Sequence, residues 1–135
     1  IALLLEGAVG SARWIDKHGI ERAVDWRDIL VVAPYNAQVS ALKARLPAAA
    51  RIGTVDRFQG QEAPIVVYSV TSSSSGDAPR GMGFLYDGSR LNVATSRARC
   101  LTVVVANLQV FAPECRTPQQ MKMANAFCRY REMAS

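Results

Sequence analysis

Three short runs, apolar almost from end to end, constrain this chain more than any other feature: Ile29-Leu-Val-Val-Ala33, Ile65-Val-Val-Tyr-Ser-Val70 and Leu101 to Ala106. A strand with one wet face alternates polar and apolar residues, so runs of this length without alternation predict strands covered on both faces. Between them lie segments of helical period. Asn36 to Leu46 turns Val39, Leu42 and Leu46 inward and stops at Pro47, Ser89 to Arg99 follows the second run, and Pro118 to Met133 closes the chain. A short strand is expected around Arg51 to Val55. Strands alternating with helices predict an α/β fold, a mainly parallel sheet with helices on both faces and ligands at the carboxyl ends of the strands.

The amino end reads as one more helix. Leu4, Ala8, Ala12 and Ile15 keep helical spacing, with Arg13, Asp16 and Lys17 opposite, which predicts a helix over Ile1 to His18 stopped by Gly19. It starts without a cap, as expected of a piece cut from a longer protein. Thr71 to Gly88, with serines at Ser72 to Ser75, predicts a mobile surface loop. No internal repeat or linker divides the chain, so 1–135 is expected to be one domain.

Half of the 135 residues are hydrophobic and 20% are charged, which excludes a disordered chain. The apolar runs are too short to span a bilayer, nothing at the start resembles a signal peptide, and no membrane association is expected. Cys100, Cys115 and Cys128 are too unevenly spaced for a disulfide framework, which points to a reducing compartment, the cytoplasm. The net charge of +5 is concentrated in two places. Lys43, Arg45, Arg51 and Arg57 face only Asp56 between residues 40 and 60, and Arg80, Arg90, Arg97 and Arg99 face only Asp87 between 80 and 99. Such stretches are either solvated surface or a footprint for an acidic partner.

Much chemistry is absent. Lys17, Lys43 and Lys122 all lack the preceding glycine of a phosphate-binding loop, and the single histidine, His18, with three scattered cysteines makes no zinc site. No serine, histidine and acid set suggests a hydrolase triad. His18 reads as a surface cap and the cysteines as small apolar residues.

Three polar segments remain, each with an ordinary reading beside a functional one. Ala33-Pro-Tyr-Asn-Ala-Gln38 ends a strand and opens a helix, so its amides can meet a phosphate, or Asn36 can simply cap the helix. Gly53-Thr-Val-Asp-Arg-Phe-Gln-Gly-Gln-Glu62 packs polar groups around glycines, a ligand-approaching turn or a capped turn plugged by Phe58. Arg90-Leu-Asn-Val-Ala-Thr-Ser-Arg-Ala-Arg99, taken as a helix, places Arg90 and Arg97 on one face, with Asn92, Ser96 and Arg99 in a neighbouring stripe. Those guanidiniums suit phosphate oxygens or a solvated face.

In order and spacing these segments resemble motifs IV, V and VI of superfamily 1 helicases, the branch of the RNA-surveillance helicase and its DNA-replication relatives. The resemblance covers Asp28 to Phe111 and implies the second, carboxyl-terminal RecA-like motor domain, a three-layer sandwich of the P-loop NTPase type. It implies that Arg97 is the arginine finger, stabilising charge on the phosphoryl group of ATP held by a partner domain. Gly60 and Glu62 would line the ribose side of the nucleotide. Thr54 and Asp56 would face single-stranded DNA or RNA, and Tyr35 and Gln38 would lie near the strand path or the cleft. Thr95 and Ser96 stand where the family usually has Leu and Thr.

The P-loop and the magnesium-binding acid of the family are missing. ATP and Mg2+ would therefore be held mainly by an amino-terminal P-loop domain of the same parent, and this piece alone should not hydrolyse ATP. The tail from Pro113 to Pro118 and on to Tyr130 also resembles the ends of bacterial proteins that join a RecB-like nuclease to such a helicase. Two rivals stand beside this reading. One is a non-catalytic nucleic-acid-binding module of helicase-like shape. The other is an unrelated doubly wound enzyme, which would need a glycine-rich loop where this chain has Ala33-Pro-Tyr-Asn36.

Overall fold

The computed structural model describes residues 1–70, 72, 78 and 80–134. The two most apolar runs become neighbouring central strands, β3 (Ile29–Val32) and β5 (Ala63–Ser69), whose residues are buried apart from the half-buried Ile65. With β4 (Arg51–Gly53) and β6 (Ala98–Val105) they form a parallel sheet in the order β4-β3-β5-β6. Register is set by pairs such as Val31 with Val67 and Val67 with Val103. Pro64 lies inside β5, where a missing amide would cost a ladder bond. The β5–β6 register shifts there, between Ala63 and Ile65, which accommodates it.

Successive residues of a strand point to opposite faces, so β3 feeds two cores. Ile29 and Val31 pack with Leu5, Val24, Val39, Leu46, Ile52 and Val67 beneath α1 (Ala2–Ala8) and α2 (Asn36–Arg45). Leu30 and Val32 pack with Val66, Tyr68, Leu85, Leu91 and Phe127 beneath α3 (Met82–Leu85), α4 (Gly88–Thr95) and α5 (Pro118–Met133). The helix α5 runs over its expected span, with Pro118 in its first turn and the Thr117 hydroxyl accepting from the Gln120 amide at 3.2 Å. Beneath it Tyr86 meets Phe127 edge to face at 5.2 Å and donates to the Val110 carbonyl. Burial pushes the Tyr68 and Tyr86 hydroxyls up to about 12. Helices on both faces of a parallel sheet make this an α/β, RecA-like three-layer domain, as expected.

Four expectations are corrected. The amino-terminal helix ends at Ala8, and the chain then forms an antiparallel hairpin of β1 (Arg13–Ile15) and β2 (Glu21–Ala23). Gly10, at φ 79°, lets the chain leave the helix. The Asp16 carboxylate accepts from the amides of His18 and Ile20 at 2.8 and 3.0 Å, closing a turn in which Gly19 sits at φ 77°. Gly19 and His18 thus belong to a hairpin turn rather than to a helix end, and Leu4 and Ile15 are 53% and 65% exposed.

The helix expected to reach Arg99 stops at Thr95, because Ala98 pairs with Ala63 to start β6. Arg90 and Arg97 therefore share no helical face, and the stripe of Asn92, Ser96 and Arg99 does not exist. The third apolar run is an edge strand that leaves Leu101 52% exposed, because the layer on that side does not reach its first half. Finally, α3 falls within the expected loop, Ser72 is buried, and residues 71, 73–77 and 79 of that loop lie outside the described residues.

Smaller shifts have local causes. Gly53 ends β4 two residues early, where a Cβ would come within 2.7 Å of the Arg57 side chain and 3.0 Å of the Phe58 ring. Phe58 is buried as the plug of that turn. Asn36 is the first residue of α2 rather than its cap, a position taken by Tyr35 without a side-chain bond.

Candidate functional site

The polar segments separate to the two ends of the sheet. At roughly 3.3 Å per residue, the seven residues of β5 hold those ends about 20 Å apart.

At the carboxyl ends, Tyr35 follows β3 and Thr54 follows β4, and Asp87 caps α4 by accepting from the Ser89 amide at 2.9 Å. Phe84, on the short α3, organises this end. Tyr35 stacks on its ring at 5.3 Å, and the guanidiniums of Arg90 and Arg80 lie 4.1 and 4.8 Å from its centre. Arg90 also lies 3.5 Å from Asp87 and 3.6 Å from Asp56. Tyr35, Phe84, Arg80, Arg90 and Asp56, with Asn36 and Thr54, surround a cavity of about 210 Å³, and the Tyr35 hydroxyl is buried with no hydrogen-bond partner. The Gln38 amide donates to the Ser69 hydroxyl, which ties it to the end of β5.

At the amino ends, Glu62 precedes β5 and Arg97 precedes β6, and the Arg97 carbonyl accepts from the Ala63 amide at 3.1 Å. That bond holds the two residues at the same edge. Arg99 Nε reaches Glu62 Oε2 at 3.1 Å, both side chains more than half exposed. Arg97 Nε, in contrast, is buried without a hydrogen-bond partner, as is Arg90 Nε at the other end, a costly state for a charged donor. Gly60, at φ 81°, lets the backbone turn from the 3-10 turn Asp56–Phe58 toward β5. Beside Glu62 and Arg99, the tip of the hairpin walls a cleft of about 640 Å³.

The structure thus brings Gly60, Glu62 and Arg97 together, and separately Tyr35, Thr54 and Asp56, with Gln38 tucked behind the latter. The second set lies at the carboxyl ends of the strands and the first does not. Sequence reasoning missed Phe84, which lay in an expected loop, and Trp14, hidden in an expected helix. An aromatic among glycines (Gly81, Gly83) and a tryptophan in a polar stretch were the available signals. Among the described residues no group of three or more His, Cys, Asp or Glu could hold a metal ion, and no helix is long and apolar enough to cross a membrane.

A parallel sheet with helices on both faces defines the class, a RecA-like α/β domain. The model of the AAA domain family matches residues 12–109, and the chain belongs to that family. Over 85 residues it is 41% identical to the DNA polymerase alpha-associated DNA helicase A of Saccharomyces cerevisiae, covering 59% of this chain and 12% of that protein. Over 100 residues it is 33% identical to the RNA helicase Mov10l1 of Homo sapiens, covering 69% and 8%. Over 107 residues it is 28% identical to the DNA replication ATP-dependent helicase/nuclease JHS1 of Arabidopsis thaliana, covering 78% and 8%. The chain spans about a tenth of the length of such relatives. These matches support a superfamily 1 helicase-like domain.

Proposed function

We propose that this chain is the second motor domain of an ATP-dependent helicase and works as half of two sites, one at each end of its sheet. The observation that carries the reading is the placement of Glu62 and Arg97 at one edge, where the Ala63 amide donates to the Arg97 carbonyl, about 20 Å from Tyr35, Thr54 and Asp56 by the length of β5. ATP and magnesium are held mainly by a separate P-loop domain, and this chain closes over them. The buried, unpartnered Nε of Arg97 fits an anionic occupant, and its guanidinium stabilises charge that develops on the transferred phosphoryl group. Glu62 leaves Arg99 to accept from the ribose hydroxyls, and Gly60 keeps the backbone clear of the nucleotide.

At the other end, Thr54 donates to a phosphate of the single strand, while Asp56 and Asp87 orient Arg90 and the ring of Phe84 holds Arg80 and Arg90 toward the cavity. Tyr35 and Gln38 support that wall from behind. Opening and closing of the ATP cleft then moves the strand-holding end relative to the partner domain. Relatives named as a DNA helicase and as an RNA helicase support a nucleic-acid partner.

The test is Arg97→Ala in the intact parent, expected to abolish ATPase stimulated by nucleic acid. Wild-type turnover sinks the assignment, and a parent without a P-loop favours the non-catalytic binding module. The tail resemblance, with a relative named a helicase/nuclease, supports a parent carrying a nuclease. A parent sequence without one overturns that part. Three cysteines without disulfide partners fit a reducing compartment such as the cytoplasm, and fractionation of the parent checks it.

A further inference from the structure

Arg90 faces two carboxylates that differ in what else they do. Asp87 lies 3.5 Å from its Nε and is committed to the start of α4, where it accepts from the Ser89 amide at 2.9 Å. Asp56 lies 3.6 Å from Nη1 of Arg90, at the start of the 3-10 turn Asp56–Phe58, and its side chain is 80% exposed. At 3.6 Å the contact is an ion pair without a hydrogen bond, and so exposed a pair is worth little.

The two acids also differ in what they line. Asp56 stands in the wall of the 210 Å³ cavity with Thr54, Arg80 and Arg90, and Asp87 does not. That volume falls below the roughly 300 Å³ at which sites for whole small molecules begin, so it suits a phosphate group and not a nucleoside. Both guanidiniums are held against the Phe84 ring, so the cations are fixed and the exposed acid is the member free to turn away. A phosphate oxygen at hydrogen-bond distance from Arg90 gains a charge-assisted bond that Asp56 lacks, and its charge repels the carboxylate.

We propose that Asp56 is a built-in competitor of the single strand: its carboxylate holds Arg90 when the cavity is empty, gives way to an entering phosphate, and returns to speed its release. The proposal rests on the reading of the carboxyl end given above. A motor that steps along a strand must let go of each phosphate it holds. An internal anion in a weak, exposed pair limits affinity without blocking the cavity.

The test is binding of a single-stranded oligonucleotide to the intact parent. Asp56→Asn, which keeps the shape of the side chain, should bind about fivefold more tightly, chiefly through slower dissociation. The salt dependence of its affinity should steepen by about 0.7 in the logarithmic slope, because Arg90 no longer trades one anion for another. Arg90→Gln should weaken binding about fivefold and cancel the gain, so that Arg90→Gln with Asp56→Asn binds no more tightly than Arg90→Gln alone. Affinity of Asp56→Asn at or below that of the unchanged parent overturns the proposal. So does a gain that persists beside Arg90→Gln, or an equal gain from Asp87→Asn, since either one reduces the effect to general repulsion. A parent that binds no single strand overturns the reading of this end, and the proposal with it.

Discussion

The two ends of the sheet carry similar charges in different surroundings, although the Nε atoms of both Arg90 and Arg97 are buried without a hydrogen bond. At the carboxyl end Arg90 is held by Asp56, Asp87 and the face of Phe84, and Tyr35 is stacked against that same ring. At the amino end Arg97 has a buried nitrogen with nothing to bond, and Glu62 and Arg99 share one exposed ion pair, the kind worth little on its own. The first end is braced by ion pairs and ring contacts, with the Tyr35 hydroxyl and Arg90 Nε still unbonded. In the proposed reading the second is one wall of a site that the P-loop domain completes.

The comparison is broken or sharpened most strongly by Arg97→Ala. It should lower kcat of the parent about 10³-fold or more, near 4 kcal/mol in the barrier, with single-strand affinity within about twofold. A parallel loss of strand affinity would show that the ends are not independent. Glu62→Ala should raise KM for ATP about tenfold, as expected for a hydrogen bond to a charged group, or uncouple ATPase from movement. Unchanged KM together with unchanged unwinding per ATP removes Glu62 from the nucleotide.

Phe84→Ala should do the reverse. Freeing Arg80, Arg90 and Tyr35 should weaken single-strand binding about fivefold, near 1 kcal/mol, and leave ATPase without nucleic acid intact. Strand affinity itself should fall as salt rises, and a flat salt profile would exclude backbone contacts.

The smallest effect concerns the hairpin. Hydrogen bonding from Arg22 and from the Ile20 amide holds the Asp16 carboxyl below its ordinary value of 3.8. The stability it adds is therefore fully present above that value and is lost as pH falls through the lowered one. Amide shifts of His18 and Ile20 in an acid titration should follow this.

The sheet was legible because burial on both faces leaves its mark on composition: Ile29 to Val32 and Val66 to Ser69 are hidden in the fold and have no polar alternation in the chain. The helix α5 was legible because Thr117 and Pro118 signal its start chemically. Residues 1–18 misled, because apolar residues four apart satisfy a helical period even where Gly10 and the Asp16 turn bend the chain into a hairpin. Arg97 and Arg99 misled for another reason, since their place was decided by Ala98 pairing with a strand more than thirty residues earlier. Of the candidate site, the motifs named the residues but not Phe84 or Trp14, whose roles depend on what lies across the fold from them.

By itself, then, the sequence determined the layers: which segments are strands covered on both faces, which helices cover them, and which arginines are in surplus. That information is local, written in the period and polarity of neighbouring residues. Only the tertiary structure decided that the surplus divides between two ends of one sheet. A strand has a direction that its composition does not reveal, and parallel packing sends the segment after β4 and the segment before β5 to opposite edges.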